Sequence, residues 1–337
     1  MRIHSPYQYF KKILRSSSLL LAMFTGLNGF AQKQQADSII TADLLRGYVK
    51  ALSHDSMQGR HTGTKGCTMA AAYIASEMKA IRLQSLQTGD SNYYSNYIIE
   101  KDGEDLTVAN IVGLLPGKIS DQFIVFSAHY DHVGDAGDEL LPSQIPGSRK
   151  DRLFNGANDN ASGVAALLAL ARYYQQAQTN EFSILFIAFS GEEDGLLGSE
   201  AMAGSFPQLN RIKQVINLEM LGRLSAKNKK PFVTEGISSY GFAKKLNRHL
   251  SLSGKAFEEN YFSTDGYVTE NNFSRSDNYS FAIRGIPANT IMATGGFDRY
   301  YHTAWDEWQT LNYDAMSQIV RAIALACTPL LMTSSIH

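Results

Sequence analysis

Three consecutive carboxylates, Glu192, Glu193 and Asp194, follow an apolar run, Phe182 to Phe189, with only Ser190 and Gly191 between. The run suits a strand buried on both faces of a sheet. Acids crowded at the end of such a strand repel one another and resist desolvation, so they need water or a cation among them. Taken alone, the triplet reads as a solvated acidic turn. Other stretches change that reading. In Ala128-His129-Tyr130-Asp131-His132, at the end of a second apolar strand, His129 and Asp131 are two residues apart. On an extended segment they share a face, so Asp131 can brace the His129 imidazole, as carboxylates do beside metal-bound histidines. His132 is out of phase; it falls on the opposite face or in the loop beyond and is not counted. Asp159 and Asn160 open a helix whose apolar face runs through Val164, Leu167, Leu168 and Ala171. Both residue types favour an N-cap, which leaves one to cap and the other to face a cation. Glu219 ends the strand Ile212 to Met220, and His302 lies in a polar segment beyond the strand Pro287 to Ala293.

His129, Asp159, Glu193, Glu219 and His302 therefore converge from separate parts of the chain. Neutral imidazole and carboxylate together suit zinc. A catalytic zinc uses three protein ligands and a water, so these five exceed the need of one ion. With one carboxylate bridging, they serve two.

The elements that must place them alternate between strand and helix, which defines an α/β fold: a mixed, mostly parallel central sheet flanked by helices on both faces. In open sheets of this kind, sites assemble at the carboxyl ends of the strands. A helix is expected from about Ser38 to Ser53, a polar loop over His54 to Gly66 with no metal at His54 or His61, and a helix over Cys67 to Leu83. Strands follow at Thr107 to Leu115 and Phe123 to Ala128. Gly134 to Asn155 reads as a surface loop near the site rim. A short strand is expected at Pro231 to Thr234, a helix over Ser239 to Leu250 with His249 solvated, a loop over Thr264 to Ser280, and a closing helix over Tyr313 to Met332.

The chain has 337 residues, of which 44% are hydrophobic and 19% charged, an ordinary globular composition. A net charge of -1 gives no reason to expect nucleic acid or an anionic membrane as partner. The two cysteines, Cys67 and Cys327, are too few for a disulfide framework or a thiolate metal site. At the amino terminus, Lys11, Lys12 and Arg15 precede the apolar Leu19 to Phe24, and Gly29-Phe30-Ala31 is a small-x-small cleavage signal. Residues 1–31 thus read as a signal peptide. The apolar stretch is short for a membrane span, which takes about 20 residues. The expectation is an exported chain, periplasmic or secreted, with a single domain over 32–337 whose 32–106 portion is a helical part packed on it.

The motifs SAHYDH, NGANDNASG, FSGEEDGLLGS, NLEMLGR and YHTAWDE, in that order, resemble the M28 family of co-catalytic zinc peptidases from about Thr107 onward. The resemblance implies a zinc-dependent exopeptidase fold and two zinc ions. It places His129, Asp159 and Glu219 on one ion, and Asp159, Glu193 and His302 on the other, with Asp159 bridging. Glu192 becomes the general base, Asp131 orients His129, and Asp306 supports the His302 segment. The chain departs from the family at Glu219, where Asp is usual, and at Ser276-Asp277-Asn278, where many relatives have His after Ser-Asp. The implied activity is removal of N-terminal amino acids from peptides. The alternatives are a carboxypeptidase of the same family, a single-zinc glutaminyl cyclase, and a binding protein with a dead site.

Overall fold

A computed structural model describes residues 31–86, 92–101, 103–135, 152–224, 229–236, 239–253, 257–264, 272–294 and 298–333. Residues 1–30 of the expected signal peptide lie outside them, as does most of the predicted rim loop. Among the described residues the central sheet has eight strands. They are β1 (Tyr94–Lys101), β2 (Glu104–Leu115), β3 (Ile119–His129), β6 (Phe182–Phe189), β7 (Ile212–Glu219), β8 (Phe232–Thr234), β9 (Ser263–Thr264) and β10 (Ala288–Met292), in the spatial order β1-β2-β6-β3-β7-β10-β8-β9. A separate small ribbon pairs β4 (Gly134–Asp135) with β5 (Leu153–Phe154).

The four central strands, β6, β3, β7 and β10, run parallel to their neighbours in this set. Their carboxyl ends therefore lie along one edge, and that edge receives His129 from β3, the acidic turn from β6 and Glu219 from β7. Every residue of β6 is buried, because side chains alternate between two covered faces. Phe182, Ile184, Phe186 and Ala188 join the larger core, against α1 (Ala42–Leu52), α2 (Lys65–Ile81), α3 (Ser162–Ala177), α5 (Phe242–Leu252) and α7 (Tyr313–Cys327). Leu185, Ile187 and Phe189 join the second core, with Met202 and Ala203 of α4 (Leu197–Ser205) and Phe281 of α6 (Asn278–Ala282). The sheet is mixed and mostly parallel, with helices on both faces, as expected.

Four expectations need correction. The first helix does not run through from Ser38: α1 starts at Ala42, where Thr41 turns extended and its Oγ1 accepts from the Leu44 amide at 3.1 Å. The chain before it is helical over 31–39. The 32–106 portion is not wholly helical, since β1 lies within it as an edge strand antiparallel to β2. His249 is 9% exposed rather than solvated, and its Nδ1 lies 3.0 Å from the Ala326 carbonyl. The last helix ends at Cys327 and a 3-10 turn, Thr328–Leu331, completes it. Together, Tyr313–Leu331 is the one stretch among the described residues long and apolar enough to cross a membrane, and 72% of its most apolar window is buried in the molecule. Cys67 and Cys327 are both buried and free.

Candidate metal centre

The last residue of β3 is His129, and its ring turns inward at 1% exposure. Its Nε2 lies 3.1 Å from Glu219 Oε1 and 3.4 Å from Asp159 Oδ1. The other oxygen of Asp159, Oδ2, lies 3.2 Å from His302 Nε2, and His302 Nε2 is 3.1 Å from Glu193 Oε2. The five residues picked out in the sequence thus form one continuous cluster, with Asp159 in the middle and one of its oxygens toward each side.

Each of these side chains is fixed by its own local structure. Asp159 and Asn160 divide the work as their positions suggest. Asn160 Oδ1 accepts from the Gly163 and Met220 amides at 3.0 and 3.1 Å, tying the start of α3 to the end of β7. This leaves the extended Asp159 free to face the cluster, across a cis Asp159-Asn160 peptide. The turn after β7 is held to the same loop, since Gly222 donates to Asn158 Oδ1 at 2.8 Å. Ser276 donates to Glu219 Oε2 at 2.8 Å, leaving Oε1 to the cluster and setting the direction of the longer side chain.

Asp306 holds the loop that carries Asp159. Its carboxylate accepts from the Asn158 amide at 2.9 and 3.0 Å and from the Asp159 amide at 3.0 Å. Arg223 pairs with it at 2.7 Å and also binds Asp298 and Thr310. Asp159 and the His302 segment are therefore positioned by one buried charge network.

Asp131 is fully buried, and its carboxylate braces the acidic turn rather than the imidazole alone. It accepts from the amides of Glu192 at 3.3 Å and Glu193 at 3.2 Å and from Thr62 Oγ1 at 3.1 Å. His129 Nδ1 is 3.2 Å from the Asp131 main-chain carbonyl and 3.6 Å from its carboxylate. Gly191, at φ +72, makes the sharp turn that sends Glu192 and Glu193 apart, with its amide donating to Thr62 Oγ1 at 3.0 Å. Glu193 joins Asp159 and His302. Glu192 stands nearer His129, with Oε2 at 3.9 Å from Nε2, and its carboxylate accepts no hydrogen bond from the described residues.

Burial and the neighbouring Asp159 act against the Glu193 charge, but His132 and His302 outweigh them and hold its carboxyl down to about 2. Burial opposes charge on His302 as well, yet Asp159 and Glu193 lift its pKa to about 10. Burial likewise disfavours charge on His129, and Glu219 and Glu192 still hold it well above the usual imidazole range. The acids of the cluster thus favour positive charge among them. Asp159 Oδ2 and His302 Nε2 are buried with no hydrogen-bond partner among the described residues. Two sets of donor atoms, His129 with Asp159 and Glu219, and Asp159 with Glu193, His302 and His132, each lie within 4.8 Å of one another. An N/O donor set of this kind, with orphaned inward-facing atoms, fits zinc.

Sequence reasoning misses three further groups. His132, set aside as out of phase, is fully buried beside the second donor set, with Nδ1 at 2.8 Å from Glu193 Oε1. The face-alternation rule stops applying once β3 ends at His129. Arg60 is fully buried and donates to the carbonyls of Leu52, Tyr130, Asn155 and Gly156 at 2.6 to 3.0 Å. Asp277 is also fully buried, with no hydrogen-bond partner for either oxygen among the described residues, and burial pushes its carboxyl up to about 7. Ser-Asp was the visible signal there.

That pH dependence can be tested. Between about pH 4 and 7 folded Asp277 keeps a proton that the unfolded chain releases, so this group's contribution to stability falls as pH rises through the window. In metal-free protein, Asp277→Asn is expected to gain about 2–3 kcal/mol on wild type between pH 5 and pH 8. Urea unfolding at both pH values checks it; a constant difference would contradict it.

The model of peptidase family M28 matches residues 110–327. The chain belongs to that family. A probable leucine aminopeptidase of Trichophyton verrucosum (strain HKI 0517) is 26% identical over 247 residues, which cover 71% of this chain and 61% of that protein. The chain spans about three-fifths of the length of the curated relatives it matches. Among solved structures, a Zn-dependent exopeptidase from Parabacteroides distasonis ATCC 8503 superposes with a TM-score of 0.65 at 22% identity, over 87% of this chain and 98% of that one. The zinc aminopeptidase BSAP of Bacillus subtilis gives 0.64 at 18% identity, over 85% and 94%. At these identities the structural likeness establishes the fold.

Proposed function

We propose that this chain is an exported two-zinc exopeptidase that removes N-terminal amino acids from peptides. The observation that carries the reading is the pair of directions taken by Asp159, with Oδ1 toward His129 and Oδ2 toward His302. One ion would be held by His129, Asp159 and Glu219, and the other by Asp159, Glu193 and His302. Bound there, zinc supplies Lewis acidity toward a peptide carbonyl and toward water.

The chain's own residues supply the rest. Glu192 faces the cluster as a free carboxylate, so it can take a proton from the attacking water and return it to the leaving amine. Burial raises its affinity for that proton, and Glu193 and Glu219 add to the effect while His129 opposes it. Asp131 fixes both glutamate amides, so base and ligand keep their separate directions. Beside these groups the cleft is lined by Met220, Arg275, Met292 and Tyr301. The aminopeptidase relatives and the complete ligand set favour this reading over a cyclase or a binding protein.

The test is release of an amino acid from a chromogenic amide by purified protein. Activity is expected to vanish with a chelator and return with zinc. Product that is instead pyroglutamate, or residues trimmed from the C-terminus of a blocked peptide, would contradict the assignment. Export follows from the basic and apolar segments before Ala31. N-terminal sequencing of the exported chain should begin at Gln32, and a mature chain that keeps Met1 would refute it.

A further inference from the structure

We infer that His132 is itself a ligand of the second ion, which makes the two metal sites unequal. The inference rests on the two-zinc reading above. His132 leaves β3 three residues after His129, yet its ring is fully buried and points to the opposite side of Asp159. Its Nδ1 lies 2.8 Å from Glu193 Oε1 and 3.8 Å from Asp159 Oδ2. His302 Nε2 lies 3.1 Å from Glu193 Oε2 and 3.2 Å from Asp159 Oδ2. In a tetrahedral site with bonds of about 2.0–2.1 Å, donors stand about 3.3 Å apart. The four separations bracket that value. Two of the four donors are nitrogens, one from each imidazole, and the rings meet edge to face with centroids 5.4 Å apart.

The backbone is shaped around this ring. Gly156, at φ +53, passes so close that a Cβ there would stand 2.5 Å from His132 Cγ and Cδ2. The same glycine's carbonyl is held by Arg60 at 3.0 Å. A solvated loop histidine would need no such clearance.

His132, His302, Glu193 and Asp159 give the second site four protein donors, the number that closes a zinc site. His129, Asp159 and Glu219 give the first site three, which leaves a position open beside Glu192. The second site should therefore fill first and hold its ion more tightly. Its two imidazoles also favour copper(II) over the single imidazole of the first site.

Zinc titration of the metal-free full chain, followed by calorimetry, tests this. Wild type is expected to take up two equivalents in separate steps, and His132→Ala to weaken the tighter step more than about 100-fold, beyond the loss typical of a residue that only supports a ligand. His132→Asn retains a hydrogen-bond donor toward Glu193 but no imidazole. If it binds the first equivalent as wild type does, His132 is only a hydrogen-bonding neighbour and the inference fails. Electron paramagnetic resonance of wild type with one equivalent of copper(II) needs no variant to fold. Coupling to two imidazole nitrogens supports the inference, and coupling to one overturns it. Zinc uptake that stops at one equivalent would end the two-zinc reading instead, and the nitrogen count for that ion still decides the role of His132.

Discussion

Glu192→Gln is expected to lower kcat on the order of a thousandfold or more while both zinc ions stay bound. Glu193 and Glu192 leave the same turn, but only Glu193 sits against His302 and Asp159. Glu192 holds its carboxylate 3.9 Å from His129 Nε2 and takes no hydrogen bond from the described residues. Gln has nearly the same shape, and its amide cannot accept a proton at neutral pH. The change removes proton transfer and leaves the ligands in place, and general-base contributions run to about 10²–10⁴-fold. Because the loss falls on a step that follows binding, KM should move little. Steady-state kinetics beside elemental analysis reads both quantities. Full turnover by the variant would remove Glu192 from the role of base.

The second large effect is on stability. Arg60→Leu is expected to destabilise the fold by about 3 kcal/mol or more, because buried carbonyls left without a donor cost about 1–3 kcal/mol each. Arg60 donates to four, on α1, after β3 and in the loop that leads to Asp159; the Gly156 carbonyl keeps the Ala161 amide at 3.2 Å, which leaves those of Leu52, Tyr130 and Asn155 to lose their donor. Lys cannot reproduce this, since a single ammonium lacks the planar fork that reaches in four directions. For a domain of this size the melting temperature should drop by roughly 5 °C or more. The loop also carries Thr62, which donates to Asp131 and accepts from Gly191. Activity should therefore fall as well. Thermal unfolding of metal-free wild type, Arg60→Leu and Arg60→Lys tests the claim, and equal midpoints would contradict it.

Much of this site is visible in the sequence for a physical reason. In a parallel sheet, chemistry collects where buried strands end, and ionisable residues directly after apolar runs mark those ends. His129, Glu193 and Glu219 are found in this way. Asp159 and Asn160 are legible as a pair because a helix start needs only one side chain to accept from its free amides, and Asn160 accepts from that of Gly163. The groups that hold these residues are harder to see. Arg60 sits in a stretch whose glycines and polar residues look like solvated loop, and only the fold reveals four carbonyls pointing at one spot. His132 is lost because alternation of faces has no meaning beyond the last strand residue. Strand β1 is missed because an edge strand needs only a weak alternation, half of it facing water. His249 looks solvated on its helix, and α7 covers it through the Ala326 carbonyl.

The central claim is that Asp159 stands between two cations. Anomalous diffraction at the zinc edge, from crystals grown with zinc, tests it most directly. Two peaks are expected, one among His129, Asp159 and Glu219 and the other among Asp159, Glu193 and His302. A single peak that Asp159 does not share, or zinc bound away from these residues, would contradict the account.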